Sequence, residues 1–161
     1  MTGTIQKPRE ATAEDKENIL RVIGSYSQAK WDKPIAKKYF DDFFDYKKLF
    51  EKDKVYVLED NDNIVGVIGY HVDKYETNNF WVGWFYVHSD YEKKGYGEHL
   101  FKFVKEKLKN KNVKKLFVDT SSDEFYKTAL LQYIKYGFKV EAVIKNYYGK
   151  NEDQLILSID I

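Results

Sequence analysis

Asn79-Phe80-Trp81-Val82-Gly83-Trp84-Phe85-Tyr86-Val87-His88-Ser89-Asp90-Tyr91-Glu92-Lys93-Lys94-Gly95-Tyr96-Gly97 is the stretch on which the reading of the fold turns. Asn79 to His88 is an aromatic and β-branched run and predicts a strand. From Gly97 onward, Leu100, Phe101, Phe103, Val104 and Leu108 recur at helical spacing. Lysines end that helix, where they suit its negative pole. Between strand and helix lies a short basic loop with two glycines. A strand, such a loop and a helix N-terminus together form a phosphate cradle. The glycines let the backbone approach an anion, and the amides of the first helical turn point at it. The cradle expected here comprises Lys93, Lys94, Gly95, Tyr96, Gly97 and Glu98.

The segment Glu92-Lys93-Lys94-Gly95-Tyr96-Gly97 resembles the acetyl-CoA loop of the GNAT superfamily of N-acetyltransferases, whose pattern is Gln/Arg-x-x-Gly-x-Gly/Ala after a strand ending in Val. Glu92 departs from it, since an acid stands where the family has Gln or Arg. Its charge opposes a pyrophosphate but leaves the backbone donors in place. Ser89 replaces the family's Pro. Downstream, Ala129-Leu130-Leu131-Gln132-Tyr133-Ile134-Lys135-Tyr136-Gly137-Phe138 is similar to Ala-x-x-x-Tyr-x-x-x-Gly-Phe of the same family. Asn146-Tyr147-Tyr148-Gly149, then Asp153 and a closing strand, resemble the last hairpin of the ribosomal-protein alanine N-acetyltransferases. The three matches run in order over residues 79 to 161.

Composition sets the frame. The chain has 161 residues, enough for one domain with a real core, and a single domain over residues 1–161 is expected. At 43% hydrophobic and 33% charged residues it has the make-up of an ordinary soluble protein. A net charge of +1, with no basic stripe, argues against nucleic acid as partner. The absence of cysteine excludes disulfides, thiolate metal sites and a cysteine nucleophile. Without a signal-peptide pattern or a long apolar run, the expectation is a cytoplasmic protein with no membrane partner.

Along the chain, Ile5 to Arg9 predicts a first strand. Thr12-x-x-Asp15 is a capping-box-like start for a helix carrying Ile19, Leu20, Val22, Ile23 and Tyr26. Ser27 to Lys33 reads as a loop. Pro34 opens a second helix, lined by Ile35, Tyr39, Phe40, Phe43, Phe44 and Phe50. Asp60-Asn61-Asp62-Asn63 predicts a hairpin between strands Lys54–Glu59 and Ile64–Asp73. Lys114 to Thr120 predicts a strand and Asp123 to Tyr136 a helix that Gly137 ends. Strands near Phe138–Ile144 and Gln154–Ile159 close the chain. The order is β-α-α-β-β-β-α-β-α-β-β, an α/β fold with a mixed sheet. The resemblance implies the GNAT version, a mostly antiparallel central sheet flanked by helices.

What the resemblance implies for function is acetyl transfer from acetyl-CoA, as co-substrate, to an amine. That reaction needs a held thioester, an amine relieved of its proton, an oxyanion donor and a stabilised leaving thiolate. Tyr133 is the candidate for the last role, because a phenol donates to a thiolate. It also lies on the apolar face of its helix, as a core tyrosine would. Asp119, ending Leu116-Phe117-Val118-Asp119-Thr120, is the candidate proton acceptor, with a plain turn-capping role as its alternative. His88, His71 and Glu76 stand behind it. Phe85, Tyr86 and Val87 are expected to offer backbone partners to the pantetheine arm. Tyr126 occupies the place where many members have an Asn that contacts CoA.

The acceptor pocket is expected from Gln28–Asp32 and the last hairpin, with Trp31, Tyr147 and Tyr148 as aromatic contacts for a side chain or cationic amine. Asp41, Asp42 and Asp45 would suit a polyamine, or simply form a solvated helix face. The acceptor is expected to be a primary amine: a protein N-terminus, a lysine or a small amine. No metal is called for, and monomer and homodimer both stay open. The rival class is a non-catalytic acyl-CoA-binding module on the same fold.

Overall fold

Alternation and helical periodicity divide the chain much as the sequence predicts. The computed structural model describes residues 5–26, 32–75 and 77–161. In chain order the elements are β1 (Arg9–Glu10), α1 (Lys16–Gly24), α2 (Asp32–Asp45), β2 (Lys54–Asp60), β3 (Asn63–Val72), β4 (Asn79–Val87), α3 (Tyr96–Lys109), β5 (Lys115–Ser121), α4 (Lys127–Lys135), β6 (Lys139–Gly149) and β7 (Glu152–Asp160). The strands follow the order β1-β2-β3-β4-β5-β7-β6 in a seven-stranded sheet. β4 and β5 are parallel, whereas β1/β2, β2/β3, β5/β7 and β6/β7 are antiparallel.

The chain forms two compact units. The first comprises Met1–His71 and Gly83–Lys107. Ile19, Val22 and Ile23 of α1, Ala36 and Phe40 of α2, Val55 and Val57 of β2, and Ile64 and Val67 of β3 form its buried cluster. The β2/β3 hairpin closes through Asn61 and Asp62, both at positive φ (48° and 62°). That is the geometry of a two-residue turn matched to strand twist, and Asn and Asp tolerate it. The second unit comprises Val72–Val82 and Leu108–Ile161. Leu116 and Val118 of β5 and Leu157 of β7 are buried in it, with Leu108, Val113 and Phe138.

The differences from expectation have local causes. The first strand is only Arg9–Glu10, paired to Val57 and Tyr56, and not Ile5–Arg9. Phe50 belongs to a separate 3-10 turn, Lys47–Phe50, because α2 ends at Asp45. Ile35 is 57% exposed and does not join the apolar side of α2. The fourth helix starts at Lys127. Its first turn, Glu124–Tyr126, is 3-10, and the Asp123 carboxylate accepts from the Phe125 amide. Ile134, expected on one apolar face of that helix with Phe125, Ala129, Leu130 and Tyr133, is 48% exposed. β6 extends five residues past Ile144, with a register shift that follows Asn146 at φ 56°.

Asp15 anchors the start of α1. Its carboxylate accepts from the Thr12 amide at 2.8 Å and from Arg9 at 2.7 and 2.9 Å, and Arg9 also donates to Glu59. The Arg9 hydrogen bond holds the Asp15 carboxyl below its ordinary range, with burial opposing. Asp15→Asn is expected to cost about 1–3 kcal/mol in urea unfolding at neutral pH, because it removes the charge of a carboxylate bonded by both Arg9 and the Thr12 amide. A carboxylate whose folded pKa is lowered stabilises fully above its unfolded value, near 3.9. The contribution is lost as pH falls through the lowered folded value. The gap between wild type and variant therefore closes only in that acid window.

Candidate active site

In the first unit, the loop expected to cradle a phosphate follows β4. Lys93 and Gly95 both take positive φ, 61° and 82°. Successive amides around such residues form an anion-binding concavity. The Gly95 carbonyl accepts from the His99 amide at 3.1 Å, so α3 begins there. The amides from Tyr96 to Glu98 precede that first bond and lie at the helix's positive end. Tyr96 is buried and donates to Asp60 at 2.6 Å, which pushes its phenol up to about 12. That bond ties the start of α3 to the end of β2.

The loop's side chains are arranged less simply. The Lys94 ammonium sits 4.9 Å from the Tyr91 ring centroid, a cation–π contact. Glu98 pairs with Lys102 at 2.8 Å. Glu92 accepts from the Tyr26 hydroxyl at 2.8 Å. With Lys93 and Lys94 set against Glu92 and Glu98, side-chain charge nearly cancels. Any attraction for an anion would then have to come from backbone amides and the helix dipole.

The strand feeding the loop carries a feature that its sequence does not announce. Trp84 has φ 51°, left-handed for a bulky residue inside a strand. Such a conformation costs roughly 1–3 kcal/mol and persists only when packing enforces it. Here Tyr39 and Phe40 pack on the indole at centroid distances of 5.6 and 5.7 Å. The strand shows no alternation of buried and exposed residues. The only hint in the sequence was Gly83 beside it. Of the next residues, Tyr86 donates to Asp32, and the Val87 carbonyl accepts from Tyr26 at 2.6 Å. His88 turns its Nδ1 to the Asp90 amide at 3.2 Å and caps a 3-10 turn. That is a structural role.

In the second unit, α4 ends as expected. Gly137 takes φ 104°, and the amides of Gly137 and Phe138 donate to the carbonyls of Ile134 and Tyr133 at 3.0 Å each. The Phe138 ring meets the Tyr133 ring edge-on at 5.5 Å. Tyr133 is 9% exposed. Burial raises its phenol pKa above the ordinary range, and the charge of Asp119 adds to the rise.

Asp119 points from β5 toward the last hairpin. It accepts from Gln154 Nε2 at 3.0 Å and stands 3.5 Å from the Tyr148 hydroxyl. Burial, then the charge of Asp119, pushes Tyr148 up to about 12. Gln154 was missed in the sequence. The antiparallel β5/β7 register sets Asp119 opposite Ile156, so Gln154 is a diagonal neighbour. Without the register, no signal pointed to it.

Tyr147 packs edge-on to Tyr148 at 4.9 Å and is exposed. Both lie on the bulged end of β6, not in a loop. Tyr126 sits at the junction of the 3-10 turn and α4, against Phe125 at 4.8 Å. Trp31 and Glu76 lie outside the described residues. Asp41 pairs with Lys16 and Lys37 at 2.8 and 2.6 Å, and Asp42 with Lys38 at 3.3 Å, as on a solvated helix face. Among the described residues there is no group of His, Cys, Asp and Glu suited to a metal ion, and no helix long and apolar enough to cross a membrane.

Comparison with known proteins bears on the fold and the family. A GNAT-family protein from Desulfovibrio desulfuricans superposes with a TM-score of 0.89 at 19% identity, over 98% of this chain and 99% of that one. The ribosomal-protein-S18-alanine N-acetyltransferase from Escherichia coli does so with 0.78 at 18% identity, over 96% and 93%. An aminoglycoside 6'-N-acetyltransferase solved with coenzyme A gives 0.75 at 12%, over 96% and 97%. At such identities the likeness is one of fold. No protein of curated function matches in sequence. The model of the acetyltransferase (GNAT) family, by contrast, matches residues 20–138, taking in the β4 strand, the cradle and α4 through Phe138, and on that match the chain belongs to the GNAT acetyltransferase family.

Proposed function

We propose that this protein, working as a single domain, transfers the acetyl group of acetyl-CoA directly to a primary amine in a ternary complex. The observation that carries the reading is the cradle, with Lys93 and Gly95 in left-handed conformations directly before the positive end of α3. It suits a pyrophosphate. Acetyl-CoA supplies an activated thioester, whose C–S bond gives way as the amine's N–C bond forms.

The residues divide the remaining work. The cradle amides hold the pyrophosphate, and the backbone of Phe85 to Val87 meets the pantetheine arm. Tyr126 is the candidate for a further contact to the cofactor. Asp119 takes the proton that the amine must lose, oriented by Gln154 and Tyr148. Tyr133 is the candidate that stabilises the leaving thiolate. With its pKa raised by burial it is a poor acid, so its service is a hydrogen bond to the sulfur more than full proton transfer. For the acceptor, the hairpin bearing Tyr147 and Tyr148 favours a peptide or protein amine. The chain contains no cysteine, so a thiol-borne acetyl-enzyme is excluded.

Asp119→Asn tests the base. The rate is expected to fall about 10²-fold or more at the acid end of the working range. There the amine is most fully protonated and most needs a base. As pH rises toward the amine's own pKa the defect shrinks. A defect of the same size at every pH would assign Asp119 to positioning.

One observation favours a rival. Tyr133 is buried edge-on against Phe138, as a core residue would be. The rival is an acyl-CoA-binding module without turnover. Calorimetry with acetyl-CoA, followed by assay of CoA release over an amine panel, separates the two: both bind, and only the enzyme turns over.

A further inference from the structure

Ser25 and Tyr26 follow α1, which stops at Gly24 and does not extend to Tyr26 as its sequence suggests, and they make four hydrogen bonds to the segment that leads into the cradle. The Ser89 amide donates to Ser25 Oγ at 3.0 Å, and Ser89 Oγ donates to the Ser25 carbonyl at 3.2 Å. The Tyr26 hydroxyl lies 2.6 Å from the Val87 carbonyl and 2.8 Å from Glu92 Oε1. One phenol proton is thus shared between a backbone acceptor and a carboxylate. The Tyr26 ring is held 6.1 Å from that of Tyr86. Burial, then the Glu92 contact, raises the pKa of Tyr26, so the shared proton stays on the phenol throughout the working pH range.

Glu92 comes one residue before Lys93, at the mouth of the cradle. An unrestrained carboxylate there would repel a pyrophosphate, with energy that grows as the charges leave bulk water. We propose that Tyr26 is a positioning residue that restrains the Glu92 carboxylate on the α1 side of the loop, so that the cradle binds the acetyl-CoA pyrophosphate despite an acid at its entrance. The inference rests on the cradle reading given above. It also revises what the sequence alone suggests for Glu92→Gln, namely a gain in affinity. With the acid already restrained, little is left to gain.

The test is a double-mutant cycle, read by calorimetry with CoA on the full chain. Wild type is expected to bind. Glu92→Gln is expected to stay within about threefold of wild type. Tyr26→Phe keeps the ring but frees the carboxylate, and is expected to weaken binding about five- to tenfold. The combined Tyr26→Phe/Glu92→Gln variant is expected to return to within about threefold. A purely structural role for Tyr26 would not give that rescue, because the Val87 bond is missing from both Tyr26 variants.

Absence of CoA binding by wild type overturns the cradle reading itself. If wild type binds, either of two results overturns the restraint alone: Tyr26→Phe equal to wild type, or a double variant as weak as the single. Should Tyr26→Phe not fold, Glu92→Gln still decides the matter. A gain above tenfold would mean that the acid already faces the phosphates.

Discussion

Gly95→Val is expected to abolish retention on immobilised CoA and to weaken CoA binding by at least about tenfold, with the melting curve little changed. Gly95 has φ 82°, a conformation that costs an L-residue roughly 1–2 kcal/mol, and a β-branched one more. About 1.4 kcal/mol already equals a tenfold change. A Cβ built on Gly95 meets no atom within 4 Å, so the substitution collides with nothing in the fold. The strain is relieved by rotating the peptides around residue 95, which turns the cradle amides away. Sequence alone points to Gly97 as the position to block, but that residue already lies inside α3. Isothermal titration beside circular dichroism checks both parts. Normal CoA affinity in a folded Gly95→Val protein would move the phosphate site elsewhere.

Tyr133→Phe is expected to lower turnover about 10²-fold or more while stability changes by no more than about 1 kcal/mol. Removing one hydrogen-bond donor from a developing charge typically costs 10²–10³ in rate. The ring, its edge contact with Phe138 at 5.5 Å and its volume all survive the change. The stability cost is that of one hydroxyl. Single-turnover kinetics with chemistry rate-limiting, together with a urea melt, measures the two. Unchanged turnover would leave Tyr133 as a core residue and favour the non-catalytic reading.

These two positions show what the sequence made legible and what it hid. Gly137 and Phe138, at fixed distance from Tyr133, announced a helix end, and the chain forms it with the two bonds such an end requires. Asn61-Asp62 announced a tight hairpin, because few other residues tolerate positive φ twice running. Local chemistry decided both.

The partners of Asp119 were not legible. Gln154 reaches it only through the β5/β7 register, and register is a tertiary property. Trp84 was hidden for a related reason. Its left-handed backbone is enforced by Tyr39 and Phe40 from a helix some forty residues earlier, against its own preference. Tyr26 read as one more apolar position on α1, and only the fold brings its hydroxyl to Glu92.

The proposed reaction moves an acetyl group from acetyl-CoA to an amine without resting it on the protein. The most direct measurement follows CoA thiol release and acceptor mass together, with purified protein, acetyl-CoA and a panel of amines including alanine-started peptides, lysine peptides and small amines. One acetylated amine is expected for each CoA released, with at least one acceptor, and no acetylated enzyme by intact-mass analysis. CoA binding without turnover across the panel, or CoA release without an acetylated amine, would contradict it.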